Sequence, residues 1–248
     1  MVTESLLAGQ RILITRPKQQ SDQLARLIEQ AGGQAMLFAV IDIQPVPVSD
    51  WIVPDLASID WLIFVSRNAV TGFMSGWQAD LPEHLKFAAV GGGTAEAMRA
   101  AGLKVDCQPD TSSGSEGLLT QPEMQDVAGC KIIIIRGAGG REHLADTLQS
   151  RGASISYTEV YKRGIAVHDN AAREQAMTAD KLVCTSVAGV DNLCHLLSAH
   201  IDDLLKKPLV VVSDRIKAHA ELSGFSYVAV SADASDGAVL KTLIEMDK

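Results

Sequence analysis

Short unbroken apolar runs rich in Ile and Val recur along the chain at 12–15, 61–65, 87–90, 132–135, 182–184 and 209–212. Runs of this length without polar alternation, bounded by turn residues, predict strands buried on both faces of a parallel sheet. Helical periodicity follows them. Leu24, Leu27 and Ile28 form one face before Gly32 and Gly33, Ala97, Met98 and Ala101 do so before Gly102, and the stretch 144–150 stops before Gly152. A glycine just past the last periodic residue is the expected helix stop. Strands alternating with helices through short loops predict an open, doubly wound α/β fold. Its crossovers are right-handed and its ligand sites lie outside the carboxyl ends of the strands.

The pattern repeats. A shift of 120 positions lays Arg11-Ile-Leu-Ile-Thr-Arg16 on Lys131-Ile-Ile-Ile-Ile-Arg136, and matches Leu24 with Leu144, Gly32 with Gly152 and Val40 with Val160. The same offset places Asp60 on Asp180, Ser66 on Ser186, Val70 on Val190 and Ser115 on Ser235, while a slip of two residues aligns Val90 with Val212 and Gly102 with Gly224. A common offset held over most of the chain argues for two copies of one supersecondary pattern. Two stretches, 43–48 with Pro45 and Pro47, and 161–168, sit at matching points of the repeat and read as connectors. Either the chain forms two consecutive domains, cut near Cys130, or it leaves one domain at the first connector, builds the other, and returns at the second.

Composition narrows the class. With 248 residues, 47% hydrophobic and 21% charged, the chain can bury large cores and is neither disordered nor a disulfide-stapled miniprotein. A net charge of -8 and the lack of a basic stripe speak against nucleic acid as a partner. Cys107, Cys130, Cys184 and Cys194 form no C-x-x-C pair, no apolar run is long enough for a membrane span, and residues 1–10 do not resemble a secretory signal. A cytoplasmic location is expected.

Small-polar or basic turns follow nearly every predicted strand: Thr15-Arg16-Pro17, Ser66-Arg67-Asn68, Gly91 to Thr94, Arg136 to Arg141, Thr185-Ser186 and Ser213-Asp214-Arg215. Turns that open helices aim backbone N–H groups and the positive end of the helix dipole above the sheet, which favours an anionic ligand. Singly, Ser66, Thr94, Ser186 and Ser213 read as ordinary helix N-caps, and Arg16 and Arg136 as charges at strand ends. The glycine clusters do not make a nucleotide site: Glu96 and Glu142 stand where G-x-G-x-x-G requires its last glycine. The six histidines lack zinc spacing and no G-x-S-x-G elbow occurs. A site without metal or cofactor is the expectation.

Taken in order, Leu13-Ile-Thr-Arg16-Pro17, Phe64-Val-Ser66-Arg-Asn-Ala-Val70, Phe87-Ala-Ala-Val-Gly91 through Thr94-Ala95, Arg136-Gly137 through Arg141, and Glu159-Val-Tyr161 resemble the blocks of the uroporphyrinogen-III synthase family over essentially the whole chain. The resemblance implies two flavodoxin-like, doubly wound parallel-sheet domains joined by a two-stranded connector. The first domain would comprise 1–41 and 166–248, the second 46–160, with 42–45 and 161–165 as connector. It implies a lyase that closes hydroxymethylbilane, a linear tetrapyrrole octacarboxylate, to uroporphyrinogen III, inverting the last ring and losing water without a cofactor, as part of heme biosynthesis. Loss of the terminal hydroxyl gives an azafulvene, and attack through a substituted pyrrole carbon gives a spiro intermediate. On this resemblance Tyr161 is the candidate acid, and Arg16, Ser66, Asn68, Ala69, Thr94, Arg136, Gly137, Arg141, Ser186 and Ser213 are candidate substrate contacts. The loop from Ser213 to Lys217 departs from the Gly-Pro-Thr-Thr-like turn of some members. A monomer is expected. The competing reading is a two-lobed protein that binds an anionic small molecule without transforming it, which the same fold would permit.

Overall fold

The computed structural model describes residues 6–110, 114–140 and 142–246. In chain order the elements are β1 (Arg11–Ile14), α1 (Asp22–Gln30), β2 (Gln34–Leu37), β3 (Ile41–Pro45), β4 (Trp61–Phe64), α2 (Arg67–Gly76), β5 (Lys86–Ala89), α3 (Gly92–Ala100), α4 (Ser115–Leu119), α5 (Pro122–Gln125) and β6 (Lys131–Gly137). There follow α6 (His143–Ser150), β7 (Ser154–Ile165), α7 (Asn170–Met177), β8 (Lys181–Cys184), α8 (Val187–Leu196), α9 (Ile201–Leu204), β9 (Leu209–Val211), α10 (Asp214–Leu222), β10 (Val228–Val230) and α11 (Asp236–Glu245).

The chain divides into two compact units, one of Met1–Asp42 with Gly164–Lys248 and one of Ile43–Arg163. The first holds the sheet β10-β9-β8-β1-β2 and the second the sheet β3-β7-β6-β4-β5. The α/β class with parallel sheets is as the pattern predicts: β1 pairs in parallel with β2 and β8, and β6 with β4 and β7. The chain passes from one unit to the other within β3 and again within β7, and these two strands are hydrogen-bonded neighbours.

Successive strand residues face opposite sides of a sheet, which explains why the apolar runs are continuous. In the first unit Leu13, Leu182, Cys184, Leu209 and Val211 pack against α8 and α10 through Val190, Leu193 and Ile216. Their neighbours Ile12, Ile14, Val183 and Val210 pack on the other face against Leu24 and Ile28 of α1 and Val239 and Leu243 of α11. The second unit has the same construction: Leu62, Phe64, Ile133 and Ile135 meet Val70 and Phe73 of α2 and Met98 of α3. Trp61, Ile63, Ile132 and Ile134 meet Leu118 of α4 and Leu144 and Leu148 of α6.

The repeat and the folded units are cut differently. Copy one contributes β1, α1 and β2 to the first unit and β4, α2, β5, α3 and α4 to the second; copy two contributes β6, α6 and most of β7 to the second unit and β8 onwards to the first. Each sheet is therefore completed by an exchange of matching pieces. Even the fifth place has a counterpart, since Cys107 bridges Ala88 of β5 in parallel where β10 flanks β9. Matching aspartates join the pieces: Asp180 accepts from the Arg11 amide at 2.8 Å, and Asp60 from the Lys131 amide at 2.7 Å.

Asp180 also meets the Arg11 guanidinium, and hydrogen bonds from that side chain hold its carboxyl below the usual carboxylate range. A depressed folded pKa contributes stability that is present above the unfolded value and is lost as pH falls through the folded one. Because the pair is exposed and screened by solvent, Asp180→Ala should cost only about 0.5–1 kcal/mol at neutral pH, and its difference from wild type should shrink on acidification. Urea unfolding at neutral and acidic pH checks this; a pH-independent difference would refute the assignment.

Candidate active site

The carboxyl ends of both parallel sheets lead into helix N-termini, and each unit presents its own set of loops there. In the second unit β4 runs into Ser66, the N-cap of α2, whose hydroxyl accepts from the Ala69 amide at 3.1 Å. Helix geometry gives the amides of Arg67 and Asn68 no intrahelical acceptor, so Asn68 and Ala69 lie on the electropositive first turn. The Arg67 side chain turns aside to the Gly93 carbonyl and to Glu96. Beyond β5, Gly91 caps α3 without a side-chain acceptor, and a Cβ at Gly92 would meet nothing within 4 Å. That helix end is bare backbone at Gly92, while the Arg67 guanidinium lies against Gly93. Thr94 is not an N-cap: it lies inside α3, buried at 7% exposure.

At the end of β6 the ladder to β7 shifts register between Arg136 and Gly137, so that Gly137 pairs with Tyr161. The Tyr161 ring belongs to the core of the unit at 2% exposure and packs against Gly137, where an added Cβ would come within 2.5 Å of its ring carbons. Its hydroxyl lies 3.2 Å from the Ser66 hydroxyl and accepts from Arg163 Nη2 at 3.2 Å. Gly139, with φ of 72°, makes the left-handed turn that follows. Arg141 lies outside the described residues.

Arg136 is not free for a ligand. Its guanidinium donates to Glu142 at 2.8 Å and pairs with Glu159 at 3.2 Å, and it stacks 3.7 Å from the centroid of the Tyr157 ring. Tyr157 donates in turn to Glu142. That hydrogen bond and Arg136 lower the Glu142 carboxyl, while burial first, and then Glu142, push the Tyr157 phenol up to about 12.

Arg16, the repeat counterpart of Arg136, has different surroundings. Its side chain is 10% exposed and donates through Nη1 to Asp236 at 2.5 Å, at the start of α11. Nε and Nη2 are buried without an acceptor among the described residues. These two nitrogens form one edge of the guanidinium, the fork that matches a carboxylate bidentately. Nearby in the fold, Thr15 donates to the Val183 carbonyl at 2.8 Å, and burial pushes the Cys184 thiol up to about 12, which removes it as a nucleophile. Ser186 and Ser213 cap α8 and α10, accepting from Gly189 at 3.0 Å and Ile216 at 3.4 Å.

The structure thus draws Ser66, Asn68, Ala69, Gly137 and Tyr161 into one cluster, and places Arg16 just beyond the carboxyl end of β1, with Ser186 and Ser213 as the caps that follow β8 and β9. Sequence reading gave Asp236, Glu142, Tyr157 and Arg163 no place in a site. The first three matter only through where the fold brings them, but Arg163, two residues beyond Tyr161 on the same strand, was within reach of the alternation rule. No cluster of three or more His, Cys, Asp or Glu that could hold a metal occurs among the described residues, and no helix there is long and apolar enough to cross a membrane.

The profile of the family described as Uroporphyrinogen-III synthase HemD matches residues 22–241. Uroporphyrinogen-III synthase of Escherichia coli (strain K12) is 32% identical over 247 residues, spanning 94% of this chain and 99% of that one. The enzyme of the same name from Synechococcus elongatus is 30% identical over 81% of this chain and 79% of its own. Among solved structures, uroporphyrinogen-III synthetase from Helicobacter pylori has a TM-score of 0.69 at 13% identity, covering 96% of this chain and 99% of that one, which bears on the fold alone. A mutant of the synthase from Thermus thermophilus has a TM-score of 0.60 at 17% identity, over 97% and 100%. Ordered blocks, paired parallel sheets and near-complete coverage agree, and the chain belongs to the uroporphyrinogen-III synthase family.

Proposed function

We infer that this chain closes hydroxymethylbilane to uroporphyrinogen III, with loss of water and inversion of the last pyrrole ring, and that Tyr161 supplies the proton for the departing hydroxyl. The observation that carries the residue assignment is the Tyr161 hydroxyl, held at the carboxyl end of the second unit's sheet by Ser66 and Arg163 while its ring is locked over Gly137.

The reaction has three physical requirements: a donor for the leaving hydroxide, anchorage of an octa-anion, and control of which carbon attacks. The phenol meets the first, because general acid assistance of this kind is worth about 10²–10⁴-fold. Backbone amides at the starts of α2 and α3 meet part of the second, since an N-terminal first turn binds carboxylates without a matching side chain. The edge of Arg16 that lacks an acceptor among the described residues supports a carboxylate-holding role, because an unsatisfied buried donor pair is stabilised by an acceptor. Arg136, already neutralised by Glu142 and Glu159, instead holds the loop that begins at Gly137. Ser186 and Ser213 support the reading as caps that leave the first amides of α8 and α10 directed outward. Selectivity for the inverted product then comes from orientation, because substrate fixed by its carboxylates has few geometries in which to close.

Freshly prepared hydroxymethylbilane, added to the purified protein, should yield uroporphyrinogen III in excess of the type I isomer formed by spontaneous closure; type I alone would support the non-catalytic binding protein. Tyr161→Phe keeps the packing and removes the donor, so kcat should fall by about 10²–10⁴-fold with KM nearly unchanged. Wild-type kcat in that variant would remove the hydroxyl from the mechanism. Gly137→Ala should displace the Tyr161 ring and cost about 1–3 kcal/mol of stability, together with a loss of kcat, read by urea unfolding and steady-state kinetics. An unaltered urea midpoint and rate would show that the close approach of ring to backbone is dispensable.

A further inference from the structure

We propose that Arg163 is the positioning residue that turns Tyr161 into a directed proton donor, an inference that rests on the reading of Tyr161 given above. The guanidinium has only donors, so at 3.2 Å from Nη2 the phenol oxygen accepts. With that lone pair occupied, the single phenolic proton points elsewhere, either to the Ser66 hydroxyl at 3.2 Å or to a ligand in its place. Ser66 can receive it there, because a hydroxyl oxygen that accepts from the Ala69 amide at 3.1 Å keeps a second acceptor site. Arg163 thus selects the direction of the proton and Ser66 marks the point it faces.

The charge of Arg163 matters as well as its geometry. The residue is exposed and pairs with no carboxylate among the described residues, unlike Arg11, Arg16, Arg67 and Arg136, each of which has an acidic partner. Its guanidinium carbon lies 5.7 Å from the Tyr161 ring centroid, so an uncompensated positive charge leans over the phenol. A phenol oxygen that accepts from a cation has its O–H directed away from that cation, toward the substrate. In the step, the substrate's C–O bond breaks with its electron pair going to oxygen, the phenolic proton completes a water molecule, and Tyr161 remains as phenolate beside Arg163. The proton released from the attacked pyrrole when the ring closes restores the phenol, so atoms and charges balance over the cycle.

A double-mutant cycle tests this. Arg163→Ala should lower kcat by about tenfold or more while KM changes by less than about twofold, Arg163→Lys should recover part of the loss, and Arg163→Ala in a Tyr161→Phe background should change nothing further. Thermal midpoints should stay close to wild type, since Arg163 is exposed. An impaired Tyr161→Phe with a fully active Arg163→Ala, or losses that multiply in the double variant, would overturn the role of Arg163 and leave Tyr161 standing. A raised KM with unchanged kcat would overturn it in favour of a direct contact with substrate carboxylate. Full activity of Tyr161→Phe would overturn the reading of Tyr161 and this proposal together.

Discussion

Two aspartates at the amino ends of strands, Asp60 before β4 and Asp180 before β8, each accept an amide hydrogen from a strand of the other copy, Lys131 and Arg11 respectively. The backbone answers in the opposite direction: the Asp60 amide donates to the Lys131 carbonyl at 2.9 Å and the Asp180 amide to that of Arg11 at 2.8 Å. These closures set the register of β4 on β6 and of β8 on β1, and so place the inner strands of both sheets. The remaining elements follow from burial. Once β1 and β6 are flanked on both sides, Ile12, Ile14, Ile132 and Ile134 must be covered on one face and Leu13, Ile133 and Ile135 on the other, and the helices fall to both sides. Register at the amino ends also fixes what emerges at the carboxyl ends, including the shift that brings Tyr161 over Gly137.

The fold class was legible because it depends on period and order. Continuous runs marked the doubly covered strands, glycines marked helix stops, and the offset of 120 aligned Asp60 with Asp180 before either had a partner. The site was legible only in part, for a definite reason. N-caps are local, and Ser66, Ser186 and Ser213 act as caps. Thr94 misled because glycine at 91 took the cap position, moving the helix start ahead of the hydroxyl. The two repeat-equivalent arginines looked alike in sequence, yet Arg136 is saturated by Glu142 and Glu159 while the buried outer edge of Arg16, beside Asp236, has no acceptor among the described residues. Those carboxylates come from six to 220 positions away, a distinction that no local pattern contains.

The two copies differ at the proposed proton donor and agree at several caps and strand closures. The caps at Ser66 and Ser186 and the aspartates at 60 and 180 persist in both. Tyr161 and Arg163 have no counterparts forty residues into the first copy, where Ile41 and Ile43 stand. The polar pair is thus present in one copy alone, on the strand that leads from one unit to the other, and fold alone would not have assigned it a reaction.

The central claim is that the Tyr161 hydroxyl is the group that substrate meets. With only three tyrosines in the chain, Tyr157, Tyr161 and Tyr227, selective labelling of the phenolic carbon gives three resonances, assignable from the Tyr161→Phe variant. On titration with uroporphyrinogen III the Tyr161 resonance should shift, more than that of Tyr157, whose hydroxyl is committed to Glu142. Binding that saturates while the Tyr161 signal stays in place would contradict the account.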